Sequence, residues 1–204
     1  WSVKNGFPAA VSFFEQRLYF AGTTSEPQTI WGSTVLDYEN FTPGTLDDDA
    51  VSFTIADNQV NATRWLAASK FLAIGTLGGN FILSTDTTSG PVTPANINIK
   101  KETTYGSDLI LPKKVGSAIL YVQRNNLTIR ELGYNLEEDA QIANDVTLLS
   151  EHITESGIQD MDYQESPDGI LWCVRKDGKV ATMTRLAVQD VTAGSRQDTQ
   201  GSFL

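Results

Sequence analysis

The chain has 204 residues and a mass of 22.3 kDa, so it can bury roughly 70% of the surface that its unfolded form exposes. Its 15 Lys and Arg against 25 Asp and Glu give a formal net charge of −10, which disfavours direct binding to nucleic acid. No apolar run approaches the ~18 residues of a membrane helix, and the single cysteine excludes an internal disulfide framework.

The first half of the chain contains two groups of short apolar segments separated by turn residues. Segments of this length, rich in β-branched and aromatic residues, predict strands rather than helices. The first group is AAVSFF at 9–14, LYFAG at 18–22, TIWGST at 29–34 and VSFTIA at 51–56; the second is NATRWL at 61–66, FLAIGT at 71–76, NFILST at 80–85 and NINIKK at 96–101.

The second half of the chain repeats this arrangement twice. One of its segments, DVTLLS, fits a helix as well as a strand. The third group is SDLILP at 107–112, ILYVQR at 119–124, LTIREL at 127–132 and DVTLLS at 145–150; the fourth begins with IQDMDY at 158–163, ILWCVR at 170–175 and KVATMT at 179–184. The final residues, QGSFL at 200–204, have the character of the start of another strand.

The strongest run of each group recurs at nearly constant spacing. These runs start at residues 18, 71, 119 and 170, which are 53, 48 and 51 residues apart. Such a spacing indicates a repeated supersecondary unit, and some propeller blades repeat every ~50 residues. In three groups the run is followed by a turn, at Leu77-Gly78-Gly79, Asn125-Asn126 or Asp177-Gly178, whose residues tolerate the positive φ of tight hairpins.

We therefore predict an all-β fold, a β-propeller of four-stranded antiparallel blades with repeat units of about 7–56, 57–103, 104–150 and 151–204. A β-sandwich is the alternative, although it gives no reason for the recurrence. Either four blades close a small ring or further blades lie outside this sequence, and we favour the second. We interpret 1–204 as a single propeller-like domain. Because the chain begins with Trp1 rather than methionine and the opening WSVKNGFP has no signal-peptide features, we expect it to be a fragment of a longer chain.

Two acidic loops are the candidate metal or carboxylate sites. LDDDA at 46–50 contains Asp47 and Asp48, and YNLEEDAQ at 134–141 contains Glu137 and Glu138. Carboxylates could bind a hard cation, but the spacing does not match an EF-hand loop. We interpret both as solvated loops and predict no metal site.

The remaining candidates for catalysis are single residues. His152 is the only histidine, so no metal-binding triad can form, and we expect it to cap or order a loop. Cys173 lies between Trp172 and Val174 and has the character of a small buried hydrophobe rather than a nucleophile. We predict no catalytic residue, no cofactor site and no enzymatic activity.

Several weaker motifs are explained by strands and turns. GTLGGN at 75–80 lacks the lysine of a P-loop, and STDTTSG at 84–90 lacks the aromatic residue that closes the Asp-box of sialidase propellers. Asn40, Asn61 and Asn126 begin Asn-x-Ser/Thr triplets, which we interpret as turn chemistry.

The tryptophans favour packing over ligand binding. Trp31, Trp65 and Trp172 lie in predicted strands, where aromatic residues pack between sheets, and the different places of the tryptophans in the repeats argue against one shared carbohydrate platform. In ILWCVR, Ile170, Trp172 and Val174 alternate with Leu171 and Cys173, which predicts a strand buried between neighbouring blades.

A set of longer phrases carries a resemblance to a known family. These phrases are VSFFEQRLYFAGT with IWGS, WLAASKFLAIGTLGGNFIL, YGSDLILPKKVGSAILYVQRNNLTIREL, DVTLLSEHI and YQESPDGILWCVRKDGKVATMT. Together they resemble tail structural proteins of bacteriophages and prophages, similar to the tail tubular or nozzle proteins of short-tailed phages. The resemblance extends from about Phe7 to about Val191, and it departs at Gly194, where the family is expected to have a tryptophan.

The resemblance implies a structural virion component without a catalytic centre. It implies a propeller module in a larger polypeptide that assembles with other tail subunits around the tail axis, commonly as a ring of six copies. It also implies synthesis in the bacterial cytoplasm and a final location in the phage tail. We expect no membrane insertion.

Three hypotheses follow, in order. The first is a non-enzymatic tail module for subunit assembly or for the wall of the conduit, where negative charge would repel passing DNA. The second is a module that binds a host-surface glycan or protein through loops such as SGPVTPAN at 89–96. The third is a hydrolase, which would depend on Asp47, Asp48, Glu137 or Glu138, and for which we expect no activity.

Overall fold

The chain forms four separate β-sheets in a computed structural model that describes residues 1–57, 61–85, 90–135, 140–147, 151–186 and 191–197. Each sheet contains four antiparallel strands in chain order and is therefore a meander. The all-β class and the four-stranded repeat predicted from the sequence spacing are confirmed. The chain divides into two compact units, Trp1–Ser107 and Asp108–Leu204, with two sheets in each.

The first unit contains the first and second sheets. The first sheet consists of β1 (Ala10–Phe14), β2 (Arg17–Ala21), β3 (Thr29–Gly32) and β4 (Val51–Thr54). The second sheet consists of β5 (Thr63–Ala68), β6 (Leu72–Thr76), β7 (Asn80–Thr85) and β8 (Ile97–Thr103). All eight strands lie within or beside the predicted segments.

Strands β1 and β2 form the tightest hairpin of the first unit. Phe14 pairs with Arg17, which leaves only Glu15 and Gln16 in the turn. Both turn residues have positive φ, 45° and 61°, as a primed two-residue hairpin turn requires. The sequence did not predict this turn, because Glu and Gln are uncommon in the left-handed region.

The core of the first unit lies between its two sheets. Alternate residues of β2, Tyr19 and Ala21, contribute to one apolar cluster together with Leu72 and Ile74 of β6. The cluster is completed by residues of both sheets and of neighbouring loops, principally Ala10, Phe14, Ile30, Val51, Leu66, Phe81, Leu83 and Val92. Two sheets of the same architecture thus cover each other through one face each.

The second unit contains the third and fourth sheets. The third sheet consists of β9 (Lys113–Val115), β10 (Ala118–Val122), β11 (Ile129–Asn135) and β12 (Ala140–Asp145). The fourth consists of β13 (Ile158–Gln164), β14 (Ile170–Arg175), β15 (Val180–Leu186) and β16 (Val191–Gln197). Gly194, where the resemblance departs, lies in β16 opposite Met183.

The core of the second unit lies between its two sheets, as in the first. Leu120 and Val122 of β10 pack in one cluster with Leu171 and Cys173 of β14. The other buried members are Val115, Ile129, Ile153, Ile158, Met161, Ala181 and Met183. Here too, one face of a sheet is covered by one face of another sheet.

Two expectations about the second unit were wrong in detail. The first strand of the third sheet is Lys113–Val115, not SDLILP at 107–112, because backbone pairing with β10 begins only at Lys113. The turn predicted at Asn125-Asn126 is confirmed, with Asn126 at a φ of 63°, although the connection between β10 and β11 is longer than two residues. The last strand of this sheet is Ala140–Asp145, so it ends where the predicted DVTLLS segment begins.

The helical content of the described ranges is small, as predicted. The helix α1 (Glu151–Thr154) has four residues and follows the third sheet. None of the helices in those ranges has the length and apolar character needed to cross a membrane.

Candidate functional site

A concave candidate in the first unit lies at the β1–β2 turn. Glu15 and Gln16 line a concavity of about 480 Å³ together with the acidic loop residues Asp47 and Asp48. Its lining also includes Gly90 and Pro91, from the loop before β8, and Val35. The structure therefore brings Asp47 and Asp48 together with a turn and a loop that the sequence did not connect to them.

The acidic loop is held in place by a buried arginine. The guanidinium of Arg17 donates to the carbonyl oxygens of Asp47 at 2.7 Å and Asp49 at 2.6 Å, and to that of Ser33 at 2.7 Å. A longer contact of 3.4 Å reaches the carbonyl of Asp48. Arg17 is only 1% exposed, so its charge is stabilised by these carbonyl dipoles rather than by water.

The carboxylates of this loop point outward or stabilise the loop itself. Asp47 and Asp48 are exposed, whereas Asp49 accepts a hydrogen bond from the backbone N–H of Leu46 at 2.9 Å. Glu15 accepts a hydrogen bond from the backbone N–H of Val92 at 2.7 Å, which ties the β1–β2 turn to the loop before β8. These contacts are typical of a supported loop rather than of a cation cage.

Tyr19, on the same strand as Arg17, has a phenol that is hard to ionise. Burial raises the pKa of the Tyr19 hydroxyl far above its usual range, and the positive charge of Arg17 opposes the rise only in part. The phenol therefore stays protonated at any physiological pH. Within the described ranges, no group of three or more His, Cys, Asp or Glu side chains is placed to hold a metal ion.

A second concavity, of about 360 Å³, lies in the second unit beside the start of β13. Asp108, Asn126, Asp160 and Lys176 contribute polar groups to it, and its apolar lining includes Leu109 and Leu111. The amide of Asn126 donates to the Asp108 carboxylate at 2.6 Å, so these two side chains bind each other. This arrangement supports the loop before β11, where Asn126 has a φ of 63°.

The single-residue candidates are not brought into a common site. Cys173 is 2% exposed, and burial raises the pKa of its thiol to about 12, so the reactive thiolate is disfavoured. His152 lies on α1 with an exposed side chain. Glu137 and Glu138 lie outside the described residues, as does most of the STDTTSG segment.

The three Asn-x-Ser/Thr asparagines take part in local hydrogen bonds. Asn40 accepts from the backbone N–H of Thr42 at 3.0 Å. Asn61 is fully buried and donates to the carboxylate of Asp57, while Asn126 adopts positive φ. The interpretation of these residues as turn chemistry agrees with the contacts of Asn40 and Asn126, and Asn61 is a buried structural residue.

The tryptophans divide into buried and exposed side chains. Trp65 is fully buried, as predicted for packing between sheets. Trp172 is 39% exposed and Val174 43%, so the prediction that β14 is buried on both faces was wrong. Trp31 is half-buried and contacts Trp1, with ring centroids 5.8 Å apart.

The feature that sequence reasoning missed is an exposed aromatic surface on the first sheet. Val11 and Phe13 are exposed on β1, beside the half-buried Phe20 on β2 and Trp31 on β3. Trp1 packs edge-on against Phe20, Trp31 and Phe41, with centroid distances of 4.9, 5.8 and 5.4 Å. The alternation in AAVSFF and LYFAG could have indicated it, because it places an apolar residue on both faces of each strand.

Comparisons with known proteins give structural matches at low sequence identity. No protein-family model and no curated protein sequence matches the chain. Among solved structures, the chain is similar to a Bacteroides fragilis protein assumed to be exported, with 10% identity and a TM-score of 0.43. The matched region covers 93% of this chain but only 58% of that protein. It is also similar to a luciferin-regenerating enzyme, with 11% identity, a TM-score of 0.33 and coverage of 94% and 77%.

Proposed function

We propose that the chain is a non-enzymatic structural module of a phage or prophage tail, acting in subunit assembly or in the wall of the tail conduit. The observation that carries the proposal is the position of the tail-protein phrases in the fold. VSFFEQRLYFAGT is the β1–β2 hairpin, FLAIGTLGGNFIL is the β6–β7 hairpin and ILWCVRKDGKVATMT is the β14–β15 hairpin. The resemblance therefore lies in the repeated scaffold itself.

The contacts of the most reactive side chains support a structural role for the chain. Arg17 fixes the acidic loop through its carbonyls, and the thiol of Cys173 is buried with a raised pKa. Arg17 stabilises a loop through hydrogen bonds, and Cys173 packs in the core. The formal net charge of −10 supports the conduit version, since a negative wall repels DNA in transit.

The test is incorporation into particles. A phage or prophage that encodes the chain is given an amber stop codon in this reading frame, and particles from suppressing and non-suppressing hosts are compared by electron microscopy and mass spectrometry. We expect the chain among the tail proteins of the suppressed particles and defective tails without suppression. Normal, infective tails in its absence would contradict the proposal.

A host-surface binding module is the second candidate, and the exposed aromatic side chains favour it. Trp1, Phe7 and Phe13 are each more than half exposed, and such rings stack on sugars. The chain would then bind glycan arrays or host cells, and Phe13→Ala would weaken that binding. Failure of both binding assays with the folded chain would leave the structural role.

A further inference from the structure

Three polar side chains meet at one end of the second sheet. The Nζ of Lys101, on β8, lies 2.6 Å from Oδ2 of Asp57. The side-chain amide nitrogen of Asn61, which precedes β5, donates to the same carboxylate oxygen. Two hydrogen bonds of ordinary length to one oxygen place their donors within about 5 Å of each other. The carboxylate of Asp57 therefore brings a primary amine beside a carboxamide.

The second sheet holds the lysine in this position. Lys101 is paired with Phe81 of β7, and its Nζ lies 5.6 Å from the centre of the Phe81 ring. The end of the lysine side chain also passes the β6–β7 turn, where a Cβ on Gly79 would come within 2.8 Å of the Lys101 Cε. The absence of a side chain at Gly79 thus leaves the space in which the amine reaches Asp57.

Asn61 differs from an ordinary structural asparagine in how its amide is bonded. The residue is fully buried, and buried amides usually have hydrogen-bond partners at both the nitrogen and the oxygen. Within the described ranges, no donor lies at hydrogen-bonding distance from its Oδ1. A purely structural network of Asp57, Asn61 and Lys101 gives no reason for this unbonded carbonyl.

We propose that Lys101 and Asn61 form an intramolecular isopeptide bond, with Asp57 as the proton carrier. The arrangement supplies a nucleophilic nitrogen, an electrophilic carbonyl carbon and a carboxyl group in contact with both side chains. Fixed proximity drives the exchange, because well-oriented groups in one molecule reach effective concentrations of about 10⁵ M or more. The bond is independent of the tail role and would be present whatever the chain assembles with.

The reaction exchanges one amide for another and releases ammonia. The Lys101 ammonium first passes a proton to Asp57 along their hydrogen bond. The neutral amine then attacks Cγ of Asn61, which forms the new C–N bond and an oxyanion at Oδ1. Asp57 gives its proton to the departing Nδ2 as the old C–N bond breaks and the carbonyl re-forms, and it takes a proton from the attacking nitrogen. Ammonia accepts that proton from Asp57 and leaves as ammonium, so charge and atoms balance without an oxidant.

The bond would join the two outer strands of the second sheet. The strand order is β5-β6-β7-β8; Asn61 immediately precedes the β5 segment and Lys101 lies on β8. A covalent link between them closes a loop that contains strands of the whole sheet and restricts the unfolded chain, as a disulfide does. The outer strands could then not separate fully, and a reducing agent would not release them.

The experiment is mass spectrometry of the intact purified chain, followed by mapping of its tryptic peptides. We expect a mass below that of the sequence by one ammonia, about 17 Da, because each bond formed expels one leaving group. Trypsin should fail to cleave after Lys101, and the peptide that contains Lys101 should be joined to the peptide that contains Asn61.

Three variants test the roles of the side chains. Lys101→Arg keeps the positive charge but removes the amine, and Asp57→Asn keeps the shape but removes the proton carrier, so both should retain the full mass. Lys100→Arg is the matched control: Lys100 is the neighbouring lysine and contacts Glu102 at 3.5 Å instead, so this variant should still lose ammonia. The wild-type mass decides the question even if a variant fails to fold.

Three results would overturn the inference. The first is a wild-type chain, folded by circular dichroism, that keeps its full mass after prolonged incubation at neutral pH. The second is a loss of about 18 Da with Lys101 joined to Asp57, since water would then have left from a different partner. The third is ammonia loss that persists in Lys101→Arg. None of these results bears on the tail role, which the particle experiment tests separately.

Discussion

The first and second sheets have the same meander but different surroundings, and their second strands show it. All five residues of β6 are buried, whereas β2 alternates between buried and half-buried residues. On the inner face, both strands contribute to one core. A strand covered on two sides has a continuous apolar sequence, and a strand covered on one side alternates, so the difference reports coverage rather than strand type.

The largest expected effect compares a residue of the doubly covered strand with one of the open face. Ile74→Ala should lower the free energy of unfolding by about 2–5 kcal/mol, because it leaves a cavity in the shared core. Val11→Ala, on the 57% exposed side chain of β1, should cost less than about 0.5 kcal/mol. Urea denaturation followed by circular dichroism measures both, and equal costs would show that the outer face is covered.

The next effect concerns how the two strands begin. β6 begins with the buried Leu72, but β2 begins with the buried Arg17, which binds three or more backbone carbonyls. Arg17→Met should cost about 3 kcal/mol, since buried carbonyls lose a charged donor, and should open loop 46–50 to proteolysis. The exposed Arg124→Met is the matched control. A Met variant as stable as the wild type would show that the loop does not need the guanidinium.

A smaller effect concerns the face of the second sheet on which Trp65 packs against Gly75. Trp65 lies over Gly75, and a Cβ at Gly75 would come within 2.1 Å of the indole. Gly75→Ala should therefore cost about 1–3 kcal/mol through overpacking. Gly178→Ala, with a φ of 77° and no atom within 4 Å of its Cβ, should cost only about 1 kcal/mol of backbone strain. Thermal unfolding that ranks the two variants in the opposite order would contradict this account.

The effect that is smallest at neutral pH concerns the buried Cys173 thiol on one face of β14. Burial raises the pKa of the Cys173 thiol from 9.0 to about 12, so the unfolded chain ionises first. The stability due to the neutral thiol is complete below pH ~9 and falls by about 1.4 kcal/mol per pH unit above it. Cys173→Ala should remove that part of the pH dependence. A thiol that reacts rapidly with a disulfide reagent at pH 8 in the folded chain would show that this face is open too.

The fold was largely predictable because its signals are local. Apolar alternation placed the two central strands of each sheet, and the spacing between them gave the repeat. The first strand of the third sheet was misplaced because SDLILP is apolar, whereas the paired segment Lys113–Val115 begins with two lysines and is only three residues long. Pairing with β10, which is not local, decided between them.

The candidate site was less predictable. Asp47 and Asp48 were identified as an acidic loop, but nothing in the sequence linked them to Arg17, about 30 residues earlier, or to the β1–β2 turn. Arg17 is an ordinary charged residue in its local sequence. Its role exists only because the loop closes over it.

The sequence by itself determined the central hairpin strands of each sheet and the fifty-residue recurrence, since these depend on the alternation of side chains along an extended backbone and on the φ angles that turn residues tolerate. Tertiary structure decided which side of each strand is covered. Phe20 and Ile74 occupy corresponding positions in similar strands, yet one is half-buried beneath a few aromatic rings and the other is fully buried. Burial depends on what packs against a face, and that neighbour is distant in the chain.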